Sequence, residues 1–332
     1  MGGESDDKVW ERLKEQAHGW GGTISVPNNL AKKAAKTLGE AEGRLTAIAD
    51  RSNWLAFDPG AFGALPAPVG SNNLGNEFRA QGDKFPTILG KHRDTVRNIR
   101  TVFVLADARY KSGEAKSAQW FQRLEPAPKS VGDGLLAPGG SDGERSPAPT
   151  QTSANFTAGR EGRPALGTLG GHHIEFSRAA IDYVDGGHLS WFELYTLGHT
   201  IDAGSVYKAA ENWLWLQYEV RLVYFQLENS KYELFNGWTG VGERSGEKAA
   251  AAAFGRFQED IDALRQSMEV MGVQLATAAG WLAATVPLMP QTGSPPIGFE
   301  SEGLYQARAN YNAHYLAGFL ATKVPVLSEG AR

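Results

Sequence analysis

The sequence predicts an all-α protein: an elongated bundle of two long antiparallel helical hairpins with a disordered insertion and satellite helices. Apolar residues recur at alternating steps of three and four in several long segments, and this spacing keeps them on one stripe of a helix. No segment alternates with period two over a length that demands a sheet. The two longest runs face each other across residues 235–240, which contain two glycines, and so predict one hairpin.

Length, charge and cysteine content narrow the class of protein. A chain of 332 residues can bury a substantial core, and its net charge of −4, with both signs mixed along the helices, indicates no nucleic-acid partner. The absence of cysteine excludes disulfides, thiol catalysis and thiolate metal sites. The acidic N-terminus lacks the features of a secretory signal peptide, and no run approaches the ~18 apolar residues of a membrane span. We therefore expect a soluble chain whose export would use no cleaved signal peptide.

The first 125 residues predict a short helix followed by the first hairpin. The short helix covers residues 6–18 and is stopped by nearby glycines. Pro27 fits the first turn of the next helix, where its missing N–H costs nothing, and residues 53–73 form the connection. Pro86 should kink the following helix or start it afresh, because an interior proline costs about 3 kcal/mol. The two apolar stripes are Leu30, Ala34, Leu38, Ala41, Leu45 and Ile48, and Leu89, His92, Val96, Ile99, Phe103, Ala106 and Tyr110.

Residues 126–171 differ from the rest of the chain in composition. Pro, Gly and Ser dominate, Phe156 is the only aromatic residue, and no periodicity survives. This composition is typical of a flexible linker or a long disordered loop. We expect it to separate two helical units, residues 1–125 and 172–332, that stay associated through their apolar stripes.

The second unit predicts a short helix, the second hairpin and a final helix. The short helix covers residues 189–200, and the hairpin arms each extend roughly 40 Å at about 1.5 Å per residue. A final helix follows a proline-rich segment and ends near Pro325. The stripes of the two arms are Val206, Ala209, Trp213, Leu216, Val220, Val223 and Leu227, and Phe254, Phe257, Ile261, Leu264, Met268, Met271, Leu275, Ala278 and Leu282.

A Tyr-x-x-x-Glu motif stands at the end of the first hairpin. Ten tyrosines in a chain of this acidity give roughly one such match by chance, and the sequence holds three. The matches that begin at Tyr207 and Tyr224 lie within the second hairpin and read as ordinary helix residues. Tyr110, in contrast, is the last stripe residue of the first hairpin, and Glu114 follows one turn later. Tyr110 is therefore either a packing residue at the end of the bundle or part of a recognition signal.

A Trp-x-Gly motif, Trp238-Thr239-Gly240, lies in the turn of the second hairpin. Trp20-Gly21-Gly22 matches the same pattern, so position again distinguishes the two. Glycine permits the chain reversal, and the indole of Trp238 can cap the open end of the apolar seam. A cap of this kind does not exclude a second role in recognition.

These features together resemble the actinobacterial type VII (ESX) secretion substrates. In that family, paired helical hairpins carry Trp-x-Gly in one hairpin and Tyr-x-x-x-Asp/Glu after the other. The chain is most similar to EspB-like substrates, in which a PE-like hairpin precedes a PPE-like hairpin within one chain. The segment from Leu189 through Asp202, then Trp213 and residues 237–240, looks like the PPE-like half. The resemblance covers most of residues 20–325 and leaves the linker unmatched.

The resemblance implies a function and a set of site residues. Tyr110 and Glu114 would form a composite export signal that Trp238 and Gly240 complete on the neighbouring hairpin. The chain would be secreted or held at the cell surface, without enzymatic activity or cofactor. Its implied partners are the type VII machinery, namely the ATPase and a dedicated chaperone, together with further copies of the chain and lipid or cell-envelope components. Two alternatives stay open, a targeting module of a larger secreted toxin or effector and an intracellular helical scaffold.

Other candidate sites have weaker signals. His172, His173 and His188 lie near a glycine-rich stretch without fixed spacing to acidic residues, so no metal site is predicted. His92 occupies a stripe position and is expected to be a hydrogen-bonded core residue. The glycine-rich segment 240–246 follows a helix and lacks the lysine of a phosphate-binding loop. No catalytic residue is predicted.

Overall fold

A computed structural model describes residues 6–18, 24–25, 28–65, 72–110, 174–179, 183–235, 239–240, 246–298 and 300–329. The predicted linker, residues 126–171, lies outside these residues, as do His172 and His173. The described part of the chain is dominated by helices, and the prediction of an all-α fold is confirmed.

Two pairs of long helices account for most of the structure. A π-helical turn, Tyr311–Leu316, joins the last two helices, and two strands of two residues each are present among the described residues. The helices are α1 (Asp6–His18), α2 (Asn28–Ala49), α3 (Asn72–Tyr110), α4 (Trp191–Thr200), α5 (Ala203–Phe235), α6 (Gly246–Thr285), α7 (Glu300–Asn310) and α8 (Ala317–Ala321), and the strands are β1 (Ile24–Ser25) and β2 (Thr239–Gly240).

Helices α2 and α3 pack against each other in antiparallel directions. The carboxylate of Glu42 on α2 accepts hydrogen bonds from Arg97 Nε at 2.7 Å and from Arg100 at 2.9 Å on α3. The side chain of Glu42 is only 2% exposed, so this ion pair lies inside the helix pair. It fixes the register of α2 against α3, because a buried carboxylate must stay next to its cations.

Helix α3 continues through Pro86 without a restart, so of the two predicted outcomes, a kink or a fresh start, the fresh start is excluded. The helix begins at Asn72, more than three turns earlier. Phe78 and Phe85 precede the proline and are fully buried, as is Leu89 beyond it. Burial of these side chains on one face holds the helix together across the hydrogen bond that proline cannot donate.

Helices α5 and α6 form the second antiparallel pair. Phe235 at the end of α5 meets Phe254 near the start of α6, with ring centroids 5.2 Å apart. Further along, Gly272 of α6 faces Leu214 of α5, and a Cβ atom at position 272 would lie only 2.6 Å from the Leu214 side chain. Glycine therefore permits the close approach of the two helices at this level. Every predicted stripe residue of α5 and α6 is buried.

The two helix pairs share one hydrophobic core. Phe85 of α3 and Trp213 of α5 meet edge to face with ring centroids 5.8 Å apart, and both are fully buried. Helix α2 lies directly against α5, and Gln226 of α5 donates a hydrogen bond to Glu40 of α2. On the opposite side, α1 packs on both α3 and α6. The four long helices therefore form a single bundle.

Helices α4, α7 and α8 close one end of this bundle, at the connection between α2 and α3. The hydroxyl of Tyr315 donates to the carbonyl of Phe62 at 2.9 Å, and the hydroxyl of Tyr311 donates to the carbonyl of Val184 at 2.9 Å. The rings of Tyr311, Tyr315 and Phe319 stack in sequence. The end of α5 at Phe235 and the start of α6 at Gly246 lie at the other end, which we call the tip.

Replacing Glu42 with alanine should lower the free energy of unfolding by about 3 kcal/mol, because the substitution removes the carboxylate from the buried guanidinium of Arg100. The exposed Asp94, which also pairs with Arg97, offers a matched control, and Asp94→Ala should cost less than about 1 kcal/mol. Urea unfolding followed by circular dichroism measures both. Equal losses for the two variants would show that the Glu42 ion pair contributes no more than a surface pair.

Candidate functional site

Elements from both halves of the chain meet at the tip of the bundle. Phe103 of α3 and Phe235 of α5 lie in contact there, with ring centroids 6.2 Å apart. Helix α3 ends at Tyr110, seven residues beyond Phe103. The end of α3 and the α5–α6 connection therefore share one end of the molecule.

A short β-ladder also joins the two halves at the tip. Strand β1 precedes α2, and strand β2 lies in the α5–α6 connection. The strands are antiparallel, with Ile24 opposite Gly240 and Ser25 opposite Thr239. Backbone pairing thus holds the start of α2 against the turn of the second hairpin.

The structure describes two of the four residues predicted to form the export signal. Tyr110 is the last residue of α3, and Gly240 belongs to β2. Glu114 and Trp238 lie outside the described residues. At about 1.5 Å per residue, Tyr110 is roughly 10 Å along the helix from Phe103, and Gly240 follows Phe235 by only five residues. The structure therefore brings the helix end with Tyr110 and the strand with Gly240 to the same end of the bundle.

The β-ladder is absent from the sequence-based prediction, which treated the glycines after α1 only as a helix stop. A signal exists in residues 23–26, Thr-Ile-Ser-Val, where β-branched residues predominate between Gly22 and Pro27. Two residues of strand are nevertheless too short for period-two alternation to reveal. The partner strand lies more than 200 residues away in the chain, so no local pattern points to it.

The other two Tyr-x-x-x-Glu matches have a different setting, since both lie inside α5. Burial raises the pKa of Tyr224, and the charge of Glu228 raises it further. Burial likewise raises the pKa of Tyr207, with a smaller contribution from Glu211, whose own pKa is raised by burial. These side chains belong to the flank of the bundle, whereas Tyr110 belongs to its tip.

His92 is a buried histidine on the stripe of α3. Its ring lies 5.9 Å from that of Phe257 on α6, and its side chain is almost fully enclosed. Burial, with a smaller contribution from the charge of Lys91, lowers the pKa of His92 from 6.5 to about 4, so the imidazole is neutral at pH 7. The expectation of a hydrogen-bonded histidine is wrong for Nε2, which is buried without a hydrogen-bond partner among the described residues.

A shallow groove of about 370 Å³ lies between α2 and α5. Glu40, Arg44, Leu222 and Gln226 line it. The hydrogen bond from Gln226 to Glu40 at 3.1 Å crosses the groove and ties the two helices together. In the described parts of the chain, no group of three or more His, Asp or Glu side chains is placed to hold a metal ion.

Large apolar side chains are exposed at the end of the bundle opposite the tip. Phe192 of α4 is 62% exposed, Tyr305 of α7 is 76% exposed, and Ile297 in the preceding loop is 95% exposed. Trp191 anchors this region, because its Nε1 donates to the carbonyl of Thr292 at 2.7 Å. This end of the molecule thus offers aromatic and aliphatic surface to solvent.

One helical stretch, Ala250–Leu288, is long and apolar enough to cross a bilayer by length and composition. The sequence analysis searched for uninterrupted apolar runs and therefore predicted no membrane span. Mean hydropathy over a window also accepts a segment that contains a few polar or charged residues. Half of the window is buried inside the bundle. A core helix of a bundle meets the same criterion, so the finding is weak evidence for a membrane span.

Comparisons of the chain with protein-family models, with curated protein sequences and with solved structures return no significant match. The function is therefore inferred from the residues and contacts of the chain itself.

Acidification should destabilise the fold through His92. The pKa of His92 is about 4 in the folded chain and 6.5, its ordinary value, in the unfolded chain. Between pH 4 and pH 6.5 the unfolded chain therefore binds more protons than the folded chain. The contribution of the neutral imidazole to the free energy of unfolding therefore keeps its full value above pH 6.5. It falls by up to about 3 kcal/mol as the pH decreases toward 4. The free energy of unfolding of His92→Leu should accordingly fall less between pH 7 and pH 4.5 than that of the unsubstituted chain.

A control separates titration from packing in this measurement. Val96→Ala removes buried volume at the next stripe position without removing a titratable group, so it should lower stability by a similar amount at both pH values. An identical pH dependence in His92→Leu and the unsubstituted chain would contradict the assignment to His92.

Proposed function

We propose that this chain is a non-enzymatic substrate of a type VII (ESX) secretion system. Its export signal is a composite of Tyr110 and Glu114 from the first hairpin with Trp238 and Gly240 from the second. The exported bundle acts outside the cell or at its surface. The secretion ATPase and a dedicated chaperone are the partners that the signal addresses.

The meeting of both halves at the tip is the observation that supports this proposal most. Helix α3 has 39 residues, which corresponds to almost 60 Å at about 1.5 Å per residue. A standard protein interface buries about 800 Å² on each partner, so it spans only part of such a length. One receptor can read motifs from both hairpins only if the motifs share an end of the bundle. The contact of Phe103 with Phe235 and the β1–β2 ladder fit this requirement.

The chemistry of the tip indicates a basic receptor surface. The C-terminal end of a helix carries the negative end of the helix dipole, and Tyr110 is at that end of α3. Glu114 follows by four residues in the sequence and adds a carboxylate to the motif. A motif that combines a tyrosine, the negative end of a helix dipole and a carboxylate suits a partner site with an apolar pocket flanked by Arg or Lys.

The side chains exposed at the end of the bundle opposite the tip are compatible with a chain that contacts the export machinery through its tip. Phe192, Ile297 and Tyr305 leave apolar surface far from the tip. A chain that engages the export machinery through its tip keeps this surface available for the lipid or envelope contact that the family resemblance implies.

Loss of the tyrosine motif should block export. In an actinobacterial host with an active type VII system, Tyr110→Ala and Glu114→Ala should each reduce the exported fraction by about tenfold or more, while helicity by circular dichroism stays unchanged. Tyr224→Ala and Glu228→Ala are matched controls, because the same motif spelling occurs there within α5, and both should be exported normally. Undiminished export of the Tyr110 and Glu114 variants would contradict the proposed signal.

The two Trp-x-Gly matches provide a second matched pair. Trp238→Ala should reduce export strongly, and Trp20→Ala should leave it near the unsubstituted level, because only the Trp238 match falls between α5 and α6 in the sequence. Export and urea denaturation are measured for both variants. A stable Trp238→Ala chain that is retained in the cell indicates a recognition role. Normal export of this variant would show that Trp238 has no role in the export signal.

A further inference from the structure

Residues 322–329, which we call the strap, follow α8 as an extended segment. The strap lies between α3 and α6, whose direct contacts with each other are few. Helix α1 packs on the same two helices nearer the tip, where Lys14 of α1 donates to Asn98 of α3 at 2.7 Å. The groove between α3 and α6 is therefore filled by two separate segments, a helix near the tip and the strap further down.

The groove binds the strap largely through its backbone. Three buried side chains of the bundle accept hydrogen bonds from amide N–H groups of the strap. A glutamine or serine oxygen that receives a backbone N–H can bind an extended peptide of many sequences. The bonds run from Lys323 to Gln274 Oε1 at 3.4 Å, from Leu327 to Gln81 Oε1 at 3.2 Å, and from Ser328 to Ser267 Oγ at 3.3 Å.

Side chains of the strap add selectivity to this backbone binding. Val324 and Leu327 are both only 2% exposed, so they act as two apolar anchors in the groove. Glu329 pairs with Lys91 of α3 at 3.1 Å, and Lys323 lies over the ring of Phe176 at 5.8 Å. The groove and the neighbouring Phe176 thus hold an extended segment with two aliphatic anchors, a basic residue before them and an acidic residue after them.

A second extended segment completes the site along the edge of the strap. The N–H of Ser177 donates to the carbonyl of Val324, and the N–H of Val326 donates to the carbonyl of Glu175, both at 2.8 Å. These two hydrogen bonds flank an antiparallel β-bridge between Phe176 and Pro325. Main-chain pairing of this kind is the usual basis of strand addition to a protein edge.

Exchange of the strap would require residues 323–329 to leave the groove together while the rest of the chain stays folded. Thr322 is held in place, because Trp281 Nε1 donates to its Oγ1 at 3.0 Å, and the hinge therefore falls directly after it. The seven following residues reach about 23 Å when extended at ~3.3 Å per residue. That reach allows the strap to bridge to a groove on a neighbouring molecule whose α3–α6 face is turned toward it.

We propose that the α3–α6 groove is a binding site for the strap of a second copy of this chain, so that two chains form a dimer by reciprocal strap exchange. A second copy presents the same backbone donors and the same anchors, Val324 and Leu327, as the chain's own strap. Exchange of an identical segment creates no new interface chemistry, which is why it is a low-cost route to dimers. The dimer is independent of the export signal, because the groove and the tip occupy different parts of the bundle.

Light scattering tests for the dimer with the full chain. After incubation at high concentration, a dimer should appear whose fraction rises with concentration. Leu327→Asp should reduce the dimer fraction by about tenfold or more, because a carboxylate cannot occupy the apolar pocket. Leu327→Ala is the milder variant, used if Leu327→Asp loses helicity, and it should reduce the fraction to an intermediate level. A chain that stays monomeric, or a dimer that persists in these variants, would overturn the proposal.

Cross-linking identifies the segment that is exchanged. The chain has no cysteine, so single substitutions are unambiguous. A mixture of Ser267→Cys and Ser328→Cys chains should form a disulfide-linked heterodimer on oxidation, because exchange brings these positions of two different chains together. Each variant oxidised alone is the control and should yield much less linked dimer. A dimer by light scattering without a preferential heterodimer would assign the interface to another surface and contradict strap exchange.

Discussion

The whole structure depends on the burial of two pairs of long helices in one shared core. Phe85 and Trp213 come from different pairs and meet edge to face, fully enclosed. This contact is possible because each long helix carries an unbroken apolar stripe, and two stripes that face each other exclude water along most of the bundle. The tip, the strap groove and the buried ion pair of Glu42 all take their positions from this alignment.

The two sides of the bundle are closed in different ways. On one side α2 lies directly against α5, whereas on the other side α1 and the strap are inserted between α3 and α6. The inserted side also contains His92, whose neutral imidazole faces an aromatic ring across the gap. The α3–α6 side is therefore where the proposed strap exchange would take place.

The proposed export signal and the proposed strap exchange use different parts of one bundle. The tip is formed by the ends of α3 and α5 together with the β1–β2 ladder, and the rings of Phe103 and Phe235 are in contact there. The strap enters the groove beside Gln81 and Ser267. Because the core between them is continuous, a partner at the tip and a second copy at the groove can bind the same folded chain. Assembly after export would then need no refolding of the hairpins.

The sequence by itself determined the helices and their buried faces. The stripe residues of α5 and α6 are all buried as predicted, because helical periodicity is a local property of the chain. It also placed Tyr110 at a helix end and Gly240 in the turn. Only the tertiary structure decided that α3 continues through Pro86, that Ile24 pairs with Gly240, and that the strap lies between α3 and α6. Each of these depends on contacts between residues far apart in the chain, whose energies no local pattern records.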